Sequence, residues 1–316
     1  MKFWRGILIV AVSLCMTEIS QVPITHALAV KASIILLKVK SPEKDFPIRS
    51  VYVLTPSVPS QDVALLPVVY MLHGWPGTPN GLIAGVETAM LTAFAKGADP
   101  FIAVFPDGNA LTHSDSEWAD SYDGRAKIET WLTTNVIHTV EAGHLRTRQN
   151  RAILGFSMGG YGAAIIGLHH PELFGQVVTL AGYFVIDDLT NAFDNGPETD
   201  SKHKYQTPAN YLKSAKQVRW FLGESNQDYT QLIRGQAAAW ATKLKTVKAS
   251  YLLSNNIAGG HSYIFVQSEL PLVLKWFNWS QEIPMLVPTT SGPTPSPQNT
   301  SPPASPFPIS SQKSIS

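Results

Sequence analysis

The chain has 316 residues, of which 44% are hydrophobic and 15% charged, and its 24 Lys and Arg nearly balance 23 Asp and Glu. A formal charge of +1 gives no basis for nucleic-acid binding, which depends on clustered excess Lys and Arg, and the apolar content with 8 Trp, 10 Tyr and 13 Phe excludes disorder throughout. The single cysteine, Cys15, excludes an internal disulfide framework and a cysteine-rich metal site.

Residues 1–29 have the layout of a secretory signal peptide. Lys2 and Arg5 precede a short apolar run, and Ala27-Leu28-Ala29 offers a small-residue cleavage site. The run is well short of the roughly 20 residues of a membrane-spanning helix. We therefore predict cleavage near Ala29, secretion, and no stable membrane span in the mature protein. The alternative is an uncleaved N-terminal anchor. Cleavage would remove Cys15, which suits an oxidising exterior.

Residues 30–283 form the predicted folded domain, in which apolar β-rich runs alternate with helical patterns. Near-continuous apolar strands separated by helices predict an α/β fold, with a mostly parallel central sheet flanked by helices on both faces. The first two strands have no helix between them, which predicts an antiparallel hairpin at one edge. The polar segment from 187 to 208 is predicted to be an excursion above the sheet. The predicted strands are Ser33–Val39, Val51–Leu54, Val68–Leu72, Phe101–Phe105, Ala152–Gly155, Val177–Leu180, Val218–Leu222 and Ser250–Ser254. The predicted helices are Ile83–Ala98, Ala126–Glu141, Met158–His170, Tyr229–Lys245 and Ser262–Asn278.

Residues 284–316 hold 9 of the 23 prolines together with 8 serines and 4 threonines, and Lys313 is their one charged residue. Such a composition cannot bury enough apolar surface to fold, and its prolines favour extended conformations. We predict a disordered tail. The alternative is a stalk that holds the domain away from a cell surface.

A strand-to-helix turn carries the first chemical signal. Gly155-Phe156-Ser157-Met158-Gly159 matches G-x-S-x-G, between an apolar strand pattern and a helix that starts with small residues. In such a turn the two glycines avoid steric collision and the serine hydroxyl is exposed. Ser157 is therefore the predicted nucleophile, and the structural alternative is a glycine-rich turn without chemistry.

A serine hydroxyl needs a base, and the base needs an acid that fixes its tautomer. Among nine histidines, His261 lies between the last predicted strand and the last helix, where a loop presents it at the carboxyl edge of the sheet. Asp228 and Glu224 both follow a predicted strand; Asp228 is preferred and Glu224 is the alternative acid. The chain order of serine, acid and histidine is that of α/β-hydrolases. His169 and His170, at a helix end, are assigned a structural role.

Two backbone N–H groups should bind the oxyanion of a tetrahedral intermediate. Met158 follows the nucleophile and supplies the first. The loop His73-Gly74-Trp75-Pro76-Gly77 follows a predicted strand and supplies the second. Pro76 has no N–H, so Trp75 is the predicted donor, and His73 is predicted to order the loop.

These motifs resemble the putative-esterase branch of the α/β-hydrolase superfamily, which includes esterase D, feruloyl and acetyl-xylan esterases and secreted mycolyltransferases. The resemblance covers roughly residues 31–280 and rests on residues 155–162, His170-Pro171-Glu172-Leu173-Phe174, Gly260-His261-Ser262-Tyr263 and Leu270-Pro271. Trp118-Ala119-Asp120-Ser121 lies where such proteins often have a loop on the substrate side. Tyr263 replaces the usual Trp after the His-Ser pair, and the segment before Asp228 is longer than the usual Gly-x-x-Asp.

The resemblance implies serine-based acyl transfer to water or an alcohol, without a metal or organic cofactor. We predict a secreted serine carboxylic-ester hydrolase whose substrate is a small ester or an acylated glycan or lipid. One alternative is an acyltransferase that acts on an envelope lipid or glycan. Another is a catalytically silent surface binding protein on the same scaffold. The motifs do not specify the acyl chain or the alcohol.

Overall fold

The computed structural model describes residues 30–58, 63–110, 116–121, 123–185 and 206–279. Within these ranges one sheet contains eight strands, each of which overlaps a predicted strand. The strands are β1 (Ala32–Lys40), β2 (Ile48–Pro56), β3 (Val68–Leu72), β4 (Ile102–Pro106), β5 (Arg151–Phe156), β6 (Gln176–Leu180), β7 (Arg219–Gly223) and β8 (Tyr251–Ser254). The predicted signal peptide, the predicted tail and residues 187–205 of the predicted excursion lie outside the described residues.

The sheet order is β1-β2-β4-β3-β5-β6-β7-β8. β1 and β2 form an antiparallel hairpin at one edge, and β2 is also antiparallel to β4. From β4 to β8 every neighbouring pair is parallel. The prediction of a mostly parallel sheet with an edge hairpin is therefore confirmed. Every residue of β3, β4, β5 and β6 is buried, as expected for strands covered on both faces.

Helices follow the parallel strands. They are α1 (Pro79–Ala95), α2 (Ile128–Thr130), α3 (Ile137–Val140), α4 (Met158–His169), α5 (Gln236–Thr246) and α6 (Tyr263–Trp276), and a π-helical segment, Trp131–Val136, joins α2 to α3. Short 3-10 helices lie at Val63–Leu65, Arg148–Asn150, Pro208–Tyr211 and Ser214–Gln217. Helix α1 packs against α6, and α4 packs against β5 and β6. In the described part of the chain no helix is both long and apolar enough to span a membrane.

Two helices begin four or more residues away from the predicted start. Helix α1 starts four residues early at Pro79, because the Thr78 hydroxyl caps it by accepting the Gly81 N–H at 3.1 Å and proline suits the first helical position. Helix α5 starts at Gln236 rather than at Tyr229, since Gly235 has a left-handed φ of 82° that ends the preceding turns. Residues 229–235 are therefore not part of the helix.

Candidate active site

Ser157 occupies a strained turn between β5 and α4. Its φ is 58° and its ψ is −121°, a conformation that is costly for a residue with a side chain and persists where the surroundings enforce it. Close backbone packing enforces it here. A Cβ on Gly155 would lie 1.8 Å from the Gly159 carbonyl oxygen, and a Cβ on Gly159 would lie 2.2 Å from the Leu72 carbonyl oxygen. The glycines of the motif thus allow β3, β5 and α4 to meet below the serine.

Ser157, His261 and Asp228 form one continuous hydrogen-bonded chain. The Ser157 hydroxyl donates to His261 Nε2 at 2.9 Å, and His261 Nδ1 donates to Asp228 Oδ2 at 2.7 Å. The Asp228 side chain is fully buried, whereas 30% of the His261 side chain is exposed. The Phe156 ring packs against the imidazole, with the ring centroids 4.9 Å apart. A serine, a histidine and a carboxylate in this order can activate the serine as a nucleophile.

The loops that carry Asp228 and His261 are tied to each other. They follow β7 and β8, which are parallel neighbours, so both loops leave the sheet at the same edge. The Gly260 N–H donates to the Ser225 hydroxyl at 3.0 Å, and the Gly259 N–H donates to the Gln227 side chain at 3.2 Å. These bonds hold the histidine loop against the acid loop.

Glu224, the alternative acid, lies away from the imidazole. Its carboxylate accepts the backbone N–H groups of Gly235 at 2.5 Å and Ala237 at 3.0 Å. Both donors belong to the start of α5, so Glu224 satisfies N–H groups that have no acceptor within the helix. The structure therefore brings Asp228, and not Glu224, to His261.

The two predicted oxyanion donors belong to chain segments that adjoin Ser157. Met158 is the first residue of α4, so its N–H has no acceptor within the helix. The loop with Trp75 passes beside the serine, since a Cβ on Gly74 would lie 2.9 Å from Ser157 Cβ. The Gly77 N–H donates to the Gly74 carbonyl at 2.7 Å and closes the turn, in which the Trp75–Pro76 peptide is cis. The Trp75 side chain is 48% exposed.

His73 is fully buried and joins the loops after β3 and β4. Its Nε2 accepts the Gly108 N–H at 3.1 Å, so the proton of the neutral ring lies on Nδ1 and is donated to the Gly74 carbonyl at 2.9 Å. With both ring nitrogens engaged, His73 orders the loop.

The segment 118–121 differs from the substrate-side loop that the family resemblance suggested. Trp118 is fully buried, and its indole N–H donates to the His73 carbonyl at 3.0 Å. Asp120 accepts the N–H and the hydroxyl of Thr130, at 3.0 and 2.6 Å. Both residues therefore make structural contacts within the domain.

A second group of titratable side chains lies at the far end of α4. Glu129 Oε1 contacts His169 Nδ1 at 2.8 Å and His170 Nε2 at 2.9 Å. Burial alone would raise the pKa of Glu129, but the hydrogen bonds with the two histidines outweigh it and lower the pKa to about 2. Burial likewise opposes the charge on His170, yet Glu129 raises the pKa of His170 above its ordinary 6.5. The sequence assigned both histidines a structural role but did not identify Glu129 as their partner.

Among the residues that the structure describes, no group of three or more His, Cys, Asp or Glu side chains is arranged to hold a metal ion.

One protein-family model matches this chain. The model of the family described as putative esterase matches residues 48–273, which is most of the chain. A search of the curated proteins gives no match.

Several solved structures share the fold. A ferulic acid esterase is 22% identical, with a TM-score of 0.62 over 79% of this chain and 100% of that chain. FphF, a fluorophosphonate-binding serine hydrolase of Staphylococcus aureus, is 17% identical, with a TM-score of 0.64 over 78% and 98%. MPT51 (FbpC1) of Mycobacterium tuberculosis is 18% identical, with a TM-score of 0.60 over 78% and 97%. The likeness establishes the predicted α/β-hydrolase fold.

Proposed function

The chain belongs to the putative esterase family, and from that premise we propose that this serine esterase hydrolyses carboxylic esters through an acyl intermediate on Ser157. The hydrogen-bonded chain from Ser157 through His261 to Asp228 carries the proposal. Its support is geometric, because the nucleophile, base and acid are already within hydrogen-bonding distance of one another.

In the proposed reaction His261 Nε2 takes the Ser157 proton while Oγ attacks the ester carbonyl. The Met158 and Trp75 N–H groups stabilise the resulting oxyanion. The imidazolium then gives its proton to the departing alcohol, which leaves an acyl-serine. Water attacks this ester with His261 again as base, and the products are the free acid and the regenerated serine. Asp228 holds the Nδ1 proton and stabilises the imidazolium throughout.

The test is hydrolysis of p-nitrophenyl esters, from acetate upward, by the full chain and by Ser157→Ala. Loss of the nucleophile should lower kcat by at least about 10⁴-fold without a change in melting temperature. Ser268→Ala is the matched control, because its hydroxyl is exposed and only bonds the Ile264 carbonyl of its own helix. Undiminished turnover in Ser157→Ala would exclude the mechanism. Absence of both turnover and fluorophosphonate labelling would favour the silent binding protein.

The same acyl-serine can pass its acyl group to an alcohol, which would make the enzyme an acyltransferase. The exposed part of the His261 side chain lets a base-activated acceptor approach from solvent. Product analysis with an added alcohol separates the two activities: a hydrolase releases free acid, and a transferase forms the new ester faster than the acid. Acylated glycans and lipids are the proposed larger substrates.

We also propose that the protein is exported. Residues 1–29 support this by their basic start, short apolar run and small residues at 27–29.

A further inference from the structure

We propose that Trp118 is a positioning residue for the oxyanion hole. Its indole fixes the separation between the loop that carries Trp75 and the helix that carries Met158. The inference rests on the proposed function, because it assigns Trp118 a task in the reaction at Ser157.

The indole is joined to the oxyanion loop by its polar atom. Trp118 Nε1–H donates to the His73 carbonyl at 3.0 Å, and the ring packs edge-on against the His73 imidazole with centroids 5.0 Å apart. His73 is two residues before Trp75 and also donates to the Gly74 carbonyl. A shift of the His73 carbonyl would therefore also shift the backbone at Trp75.

The edge of Trp118 from Cβ to Cδ1 rests on helix α4. A Cβ on Gly162 would lie 2.5 Å from Trp118 Cβ, so the helix contacts the tryptophan without an intervening side chain. Gly162 is one helical turn after Met158. The tip of the indole meets Gly108, where a Cβ would lie 2.6 Å away, and the Gly108 N–H in turn holds His73 Nε2. Trp118 thus contacts three backbone segments: the loop that leads to Trp75, the loop with Gly108 and helix α4.

The backbone that presents Trp118 is strained. Glu117 has a φ of 50° and Trp118 a φ of 61°, and two successive residues with side chains rarely adopt this region. The buried Glu117 carboxylate accepts the Tyr183 hydroxyl, and the Tyr183 ring stacks on Tyr161 of α4 at 5.2 Å. Strain of this kind persists where the surrounding structure over-determines the conformation, and it concentrates at functional sites.

This arrangement matters for catalysis because an oxyanion hole depends on where its donors point. Each donor must lie about 3 Å from the position of the oxyanion, and small displacements of catalytic groups cost large factors in rate. Met158 and Trp75 stand on separate elements, which touch directly where Gly159 packs on the Leu72 and His73 carbonyls. The indole adds a second contact that both elements share.

The test is Trp118→Phe in the full chain, with p-nitrophenyl acetate as substrate. Phenylalanine keeps most of the ring packing and removes the N–H bond to His73. Trp131→Phe is the matched control: Trp131 is also fully buried, and its indole nitrogen has no partner among the described residues. We expect Trp118→Phe to lower kcat about 10- to 100-fold with KM changed less than about threefold. Trp131→Phe should lower the melting temperature by a similar amount and leave kcat unchanged.

A tetrahedral inhibitor supplies the second readout. A boronic acid that adds to Ser157 forms an anionic adduct in the oxyanion hole, so its Ki should rise in Trp118→Phe by about the factor lost in kcat. Equal kcat values for the two tryptophan variants, or an unchanged Ki, would overturn the positioning role. The proposed function is judged separately by Ser157→Ala, and wild-type turnover that survives that substitution would refute both.

Discussion

Replacement of Asp228 by Asn tests the triad acid more sharply than its removal, because the hydrogen bonds of the carboxylate dictate how the amide will sit. Asp228 Oδ1 accepts the Thr230 N–H at 3.0 Å, while Oδ2 faces His261 Nδ1 at 2.7 Å. In the variant the amide oxygen must stay on the Thr230 N–H, so the amide NH₂ faces the imidazole. His261 then has to accept at Nδ1 and carry its proton on Nε2, where it cannot take the Ser157 proton.

The wrong tautomer should lower kcat about 10⁴-fold, as the equivalent change does in serine proteases, which corresponds to about 5 kcal/mol of transition-state stabilisation. The assay is initial-rate hydrolysis of p-nitrophenyl acetate, with the melting temperature as the folding control. A kcat within tenfold of the wild type would refute the reasoning.

Glu224→Gln is the paired variant, since it changes a second buried carboxylate to an amide next to the same loop. Gln presents one acceptor to the two N–H groups of Gly235 and Ala237 that Glu224 now satisfies. The expected effect is a stability loss of about 1–3 kcal/mol with an unchanged kcat. Activity that falls more in Glu224→Gln than in Asp228→Asn would reverse the assignment of the acid.

Three further predictions concern pH and processing. Glu129 has a pKa lowered from its ordinary 4.5 to about 2. At pH values above 4.5 its charged form therefore stabilises the fold by about 3 kcal/mol, and this stabilisation is lost as the pH falls from 4.5 towards 2. The raised pKa of His170 contributes stability below pH 6.5, and this stability is lost as the pH rises through the folded-state pKa. His170→Gln should therefore flatten the alkaline limb of a plot of melting temperature against pH. An unchanged alkaline limb would contradict this. N-terminal sequencing of the exported protein should begin at or near Val30, and a sequence that retains residues 1–29 would show an uncleaved anchor.

The order of the strands along the chain could be predicted because the parallel strands are short apolar runs, and β3 to β6 are buried throughout. β3 was predicted with its observed bounds, since Pro67 and the His73-Gly74 pair interrupt the pattern on either side. The start of α5 could not be predicted in the same way. It depends on the hydrogen bond from Gly235 to Glu224 and on the left-handed backbone of Gly235. The apolar periodicity of the helix reports neither of these.

The site divides along the same line. Ser157 and His261 could be chosen from local sequence, because a G-x-S-x-G turn and a glycine-flanked histidine after a strand each impose their own geometry. Asp228 and Glu224 could only be ranked, since both follow β7 and their roles differ through partners distant in sequence: His261 for one and the start of α5 for the other. The resemblance places Trp118 on the substrate side, whereas in the structure it is buried against Gly108 and Gly162, and Gly162 lies 44 residues further along the chain.

The catalytic edge of the sheet combines closely packed backbone below Ser157 with exposed side chains near the site residues. Below Ser157 the contacts are backbone against backbone or against one indole, and the closest of them exist because Gly155, Gly159 and Gly162 have no side chain. Such contacts leave little room to adjust, which preorganises the oxyanion donors. Three exposed apolar residues lie close to the site residues in sequence: Trp75 is 48% exposed, Tyr229, next to Asp228, is 74% exposed, and Ile264, three residues after His261, is 67% exposed. We expect their substitution to leave the triad in place, because its hydrogen bonds involve none of these side chains.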